Sequence, residues 1–263
     1  MNGKLFLICA LTFVPLAGAQ TPNNQAGKQP NSQPQSISRP DGGAGGPMES
    51  IFVPPKPGAP FTLQLAAEWT RTMMNGGGSY TLANQRRIVR DGRGRIYQER
   101  WILVPKGGDV KSTMNVFQIT DPEQHTWYNC GTFTKICELL TYHLTAEQIY
   151  LPAITKTGPM PNGKGTLLHE DLGISTIESV ETHGYRETQT LNPGVMGNDA
   201  PMVTVREFWY SPDLGLNLKS TVDSPFSGKQ VFAVKELTLG EPEATLFLVP
   251  DDYKVVDHRS EQE

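Results

Sequence analysis

Runs of alternating apolar and polar residues, each closed by a short glycine, proline or aspartate break, recur from Phe61 onward. In FTLQLAAEWTRTM the odd positions include Phe61, Leu63, Leu65, Ala67, Trp69 and Met73, whereas the even positions are mostly polar. A period of two sends successive side chains to opposite sides of an extended backbone, so such a run marks a strand with one buried face. Breaks follow at NGGGS (75–79), Asp91-Gly92, DPEQ (121–124), CGTFTKIC (130–137), His183-Gly184, SPDLG (211–215) and SPFSG (224–228). Strands joined by turns this short pair as an antiparallel meander. About ten of them, many longer than usual, should twist and curl rather than lie flat. The expectation is one mainly β domain over residues 61–257 with a six-residue tail after it. One or two short helices would accompany the sheet. In LTAEQIYLP, Thr145 and Gln148 fit a capping box, Leu144 and Ile149 a hydrophobic staple, and Pro152 a stop.

Two segments stand before that domain. MNGKLFLICALTFVPLAGAQ has a lysine, a short apolar run and an Ala-Gly-Ala site, which together read as a signal peptide over 1–19, cleaved after Ala19. The apolar run is shorter than the roughly 20 residues of a spanning helix. Ile8 is too large for the residue before a lipidated cysteine, so ordinary export is favoured over lipidation at Cys9. Residues 20–60 hold nine prolines and six glycines. Such a composition buries too little apolar surface to offset its ordering entropy, so it reads as a disordered linker, either a tether or a cell-wall contact. The expected location is periplasmic or extracellular. An acidic exported chain of net charge -4 argues against a nucleic-acid partner.

The stretch RRIVRDGRGRIYQERW places six arginines in residues 86–101. It lacks the lysine and the following helix of a phosphate-binding loop. Asp91-Gly92 instead signals a hairpin, with the arginines on the solvated face of two strands. The alternative is a patch of Arg86, Arg90, Arg93 and Arg95 that meets an anionic surface such as lipid headgroups. Removal of the signal leaves Cys130 and Cys137. No second Cys or His pair completes a metal site, and an even pair in an oxidising compartment reads as a disulfide. Its loop of about eight residues would contribute roughly 2.5 kcal/mol on the chain-entropy model.

Catalytic signals are weak. None of His125, His143, His169, His183 and His258 has a helix-spaced histidine partner, and LHEDL lacks the second histidine of a zinc-protease motif. Glu170 and Asp171 are adjacent on a strand and so face opposite ways. No Gly-x-Ser-x-Gly elbow occurs. The expectation is no enzyme, catalytic residue, cofactor or metal, with a hydrolase of scattered residues as the rival. Trp69, Trp101, Phe117 and Trp209 sit in predicted strands. They read either as plain core or as an apolar concave face for a ligand.

The C-terminal run EFWYSPDLGLNLKSTVDSPFSGKQVFAVKELTLGEPEATLFLVPDDYKVV resembles the closing hairpins of LolA-like exported bacterial proteins, which share a Trp-x-Ser strand and an ending of Phe-x-x-Pro-x-x-Tyr type, here Phe247, Pro250 and Tyr253. GVMGNDAPM, VRDGRGRIYQER and ITDP resemble pieces of an uncharacterised exported group. The resemblance implies a curved antiparallel sheet, a half-barrel or open barrel, whose concavity holds acyl chains or other apolar ligands. The functional expectation is an exported binding module for a lipid or acyl-chain ligand, not membrane-spanning. The alternative is a module that binds an envelope protein partner.

Overall fold

The computed structural model describes residues 50–73, 76–143 and 157–261. The signal peptide, most of the proline-rich linker and the helix expected at Thr145 lie outside the described residues. Within them the strands run β1 Phe61–Thr72, β2 Ser79–Arg90, β3 Ile96–Trp101, β4 Val104–Pro105, β5 Met114–Asp121, β6 Thr126–Gly131 and β7 Ile136–Thr141. They continue as β8 Gly158–Pro159, β9 Gly165–Ile177, β10 Val180–Leu191, β11 Met202–Ser211, β12 Leu216–Ser224, β13 Gly228–Leu239 and β14 Lys254–Asp257. All belong to one open sheet of order β14-β7-β6-β5-β3-β2-β1-β13-β12-β11-β10-β9-β8, with β4 beside β2. Every ladder is antiparallel except β14 on β7. The helical elements among the described residues are single 3-10 turns at Pro161–Gly163, Ala244–Phe247 and Arg259–Glu261.

Alternation sorts the side chains onto two faces. On the first, Phe61, Leu63 and Leu65 of β1 pack with Ile88, Leu216, Leu218, Val222, Phe232 and Val234 of strands on either side. On the opposite face Val89, Tyr97, Phe117, Ile119, Cys130 and Cys137 form a second cluster. Ile88 and Val89 are neighbours in sequence, and both are fully buried, one in each cluster. The second cluster is closed from above by a strap, Gly240 to Tyr253, that leaves β13 and reaches β14 on the far edge. Phe247 is its anchor, with Leu246, Val249 and Tyr253 around it.

Two sequence expectations change. First, order begins before Phe61: Ile51 and Val53 of the proposed linker lie in the first cluster. Arg90 explains how a proline-rich segment is held without a ladder. Its side chain is fully buried and donates to the carbonyls of Pro54, Ala59 and Leu214 at 2.8–3.0 Å. Lys56 Nζ adds bonds to the Pro212 and Asp213 carbonyls. Buried carbonyls without such donors would each cost about 1–3 kcal/mol. Second, His183-Gly184 is not a turn. The chain turns at Glu178-Ser179, both with positive φ (48° and 66°), and Gly184 lies within β10. A Cβ there would come within 2.8 Å of the Trp209 ring, so the glycine seats the indole of the next strand. The hairpin at Asp91 forms as expected, as a three-residue loop in which Gly94 takes positive φ (86°). Asp91 Oδ1 accepts from the amides of Arg93 and Arg95 and fixes that loop.

Candidate functional site

The ladder between β2 and β3 lapses. Ile88–Arg90 pair with Ile96–Gln98, and Leu82–Ala83 pair with Val104–Pro105, but residues 84–87 have no paired residue on that side. Beside the lapse, the β3–β5 ladder shifts register between Arg100 and Trp101. Side chains take over: the Arg87 amide donates to Glu99 Oε2 (3.1 Å), and Asn84 Nδ2 donates to the Trp101 carbonyl (2.6 Å). Where the strands part, a groove of about 730 Å³ opens to solvent. Ala66 and Ala83 line it, with Gln85, Trp101 and Val104. Two alanines opposite a tryptophan leave the space that larger residues would fill. Lys106 and Glu68 bridge at its rim at 2.7 Å.

Glu99 sits at the back of the groove and is buried. Its carboxylate receives the Arg87 amide, the Arg87 guanidinium (3.2 Å), the Trp101 indole N–H (2.8 Å) and the Tyr97 hydroxyl (3.3 Å). Burial, together with the charge of Glu99, raises the Tyr97 pKa and keeps the phenol a donor. A carboxylate so committed holds the parted strands together.

The four aromatics expected on one concave face divide. Trp101 lines the groove. Phe117 shares that face but is sealed, with ring centroids 5.9 Å from Tyr97 and 5.3 Å from Tyr253. Trp209, paired with Gly184 and Lys219, lies on the same side several strands away and donates to Glu207 Oε1. Trp69 follows Leu65 and Ala67 onto the opposite face and donates to the Ser227 carbonyl. Alternation gives the phase of one strand, and the bulges at Gln64/Leu65, Arg100/Trp101 and Trp209/Tyr210 alter it between strands.

The expected anionic-surface patch of Arg86, Arg90, Arg93 and Arg95 is also corrected. Arg86 and Arg90 are buried on the first face, over the Phe232 and Phe61 rings. Arg86 donates to Ser50 Oγ. Its pKa is lowered to about 9 by burial and then by the charge of Arg100, and that of Arg90 to about 10 by burial. Arg93 is exposed but bound to Glu123, and Arg95 pairs with Asp91 at 2.7 Å. Both inward positions could have been found in the sequence, because Arg86, Ile88 and Arg90 share one parity.

On the groove's side of the sheet, β9 to β12 carry a row of alternating charge. Arg186 stands 3.9 Å from Glu170 and 3.1 Å from Glu207, which is 3.7 Å from Lys219. Burial alone would raise the Glu207 pKa, but the Trp209 and Arg186 bonds and the Lys219 charge outweigh it and hold it below the usual range. His169 lies 3.8 Å from Glu187 and His183 3.5 Å from Glu181, and none of the four lines the groove. Cys130 and Cys137 are cross-strand partners and form the expected disulfide, buried under the strap.

No protein-family model matches the chain, and no curated protein matches it in sequence. Among solved structures it is similar to an uncharacterised conserved protein from Thermus thermophilus, at 11% identity and a TM-score of 0.39, covering 76% of this chain and 91% of that one. It is similar to a chain of the Pseudomonas aeruginosa MucA/MucB complex at 14% identity and a TM-score of 0.36, covering 75% and 58%. An outer membrane lipoprotein-sorting protein domain from Vibrio parahaemolyticus follows at 8% identity and 0.27, covering 71% and 88%. A lipoprotein-sorting domain is thus among the structures to which this chain is similar. The likeness is one of fold, and no residue role is transferred from them.

Proposed function

We propose that this chain is an exported binding module that holds an apolar or lipid-like ligand in the groove between β2 and β3 and acts by binding rather than catalysis. The observation that carries this reading is open space beside a buried carboxylate that is already bonded within the protein. The groove offers Ala66, Ala83, Val104 and the Trp101 ring, while Glu99 is already bonded within the protein. An apolar stem can enter without stripping water from an unpaired charge, which is the main cost of filling a polar cleft. Export rests on the first twenty residues, and an intact mass that begins at Gln20 checks it.

Native mass spectrometry of the protein taken from its own envelope tests the site. A co-purifying lipid mass is expected, together with its loss from Ala83→Trp, which fills the groove. A wild-type chain that is always empty ends the reading. The second reading, an extended segment of an envelope protein, is favoured by a groove that is open rather than enclosed. Loss of a bound protein instead of a lipid from Ala83→Trp would establish it.

A further inference from the structure

Exposed apolar side chains gather on one rim of the sheet. Met73 and Tyr80 flank the β1–β2 hairpin, Ile102 and Val110 lie between β3 and β5, and Phe226 is in the β12–β13 turn, each 43–61% exposed. The strands concerned are neighbours in the order β5-β3-β2-β1-β13-β12. Their tips are tied: the Trp69 indole donates to the Ser227 carbonyl, and the Lys106 amide to the Thr81 carbonyl. Arg71, Lys111 and Lys229 stand among these tips, and none forms an ion pair among the described residues. At the other end of the same strands the loops are acidic or self-paired, with Asp91 on Arg95, Glu123 on Arg93 and Glu241 on the Gly92 amide.

We propose that this rim docks on an anionic lipid bilayer, with the side chains of Phe226, Tyr80 and Met73 entering the headgroup layer and Arg71, Lys111 and Lys229 meeting lipid phosphates. Separate apolar tips on neighbouring loops suit a deformable surface better than a fitted protein cleft. Cations outside any ion pair, set between those tips, supply the attraction that a chain of net charge -4 lacks as a whole. The rim adjoins the groove at Lys106 and Ser112, but Met73, Tyr80, Phe226, Arg71, Lys111 and Lys229 do not line the groove.

Co-sedimentation of the signal-free chain with vesicles tests the proposal. Binding is expected to phosphatidylethanolamine–phosphatidylglycerol vesicles, to weaken with salt, and to be much lower on phosphatidylcholine alone. Phe226→Ser should weaken partition about tenfold, from the area one aromatic withdraws from water. Lys111→Glu with Lys229→Glu should weaken it at least about tenfold. All these positions are at the surface, so unfolding midpoints should match wild type. Ile174→Ser, equally apolar and 67% exposed on β9, should leave binding unchanged. Absence of binding, or binding indifferent to both rim variants, overturns the proposal. So does a result in which those variants abolish capture of an envelope protein while vesicle binding persists, because the rim would then be a protein interface.

Discussion

One side of this sheet is finished in two ways. Over β3, β5, β6 and β7 it carries Tyr97, Phe117, Ile119 and a disulfide, and the Gly240–Tyr253 strap seals them. Over β9 to β12 the same side carries Glu170, Arg186, Glu207 and Lys219 in alternating sign. Backbone pairing is antiparallel in both. Among the described residues, the difference is whether the chain returns across the face. Where it returns, aromatics become core; where it does not, complementary charges keep a broad sheet solvated and unattractive to a second sheet. The groove at Ala66, Ala83 and Trp101 lies between the two, past the strap's cover and before the charge row.

Three variants sharpen this contrast. Phe247→Ala removes the anchor of the strap and should cost about 3–5 kcal/mol in urea unfolding. A loss below about 1 kcal/mol would mean that the strap does not seal a core. Breaking the disulfide with Cys130→Ser and Cys137→Ser should cost roughly 2.5 kcal/mol, because the closed loop is short. Thiol labelling without reductant should find neither cysteine in the wild type. On the open half, Arg186→Ala should cost under about 1 kcal/mol, less still in high salt, because its guanidinium is part-exposed and screened. A large, salt-insensitive loss there would show that the charge row is buried against something and that the two halves are finished alike.

The strands were legible because period two and turn residues are local signals, and the disulfide because two cysteines faced each other across one short turn. Gly184 misled because a glycine inside a strand and a glycine at a turn look the same until Trp209 is placed over it. Ile51 and Val53 were hidden in a composition that predicts disorder, and their segment is held by tertiary partners, among them a buried guanidinium reaching three carbonyls. The groove was not legible at all. Its two alanines are ordinary in sequence, and it exists because β3 drifts from β2, a relation between strands that neither strand encodes. Val104-Pro105 was the nearest hint, since a proline has no N–H to give a ladder.

The position of β1 has a kinetic consequence. Strands β1 to β7 form one stack of hairpins and β9 to β13 another, and each can assemble from contacts close in sequence. They are joined through β1, whose Phe61 pairs with Leu239 at the far end of β13. That ladder closes nearly the whole described chain, so loop-closure entropy makes it late and slow. Until it forms, Leu63 and Leu65 of one stack and Phe232 and Val234 of the other are uncovered along two free strand edges. Refolding at high concentration is therefore a race between this one docking event and self-association, and its yield should rise on dilution.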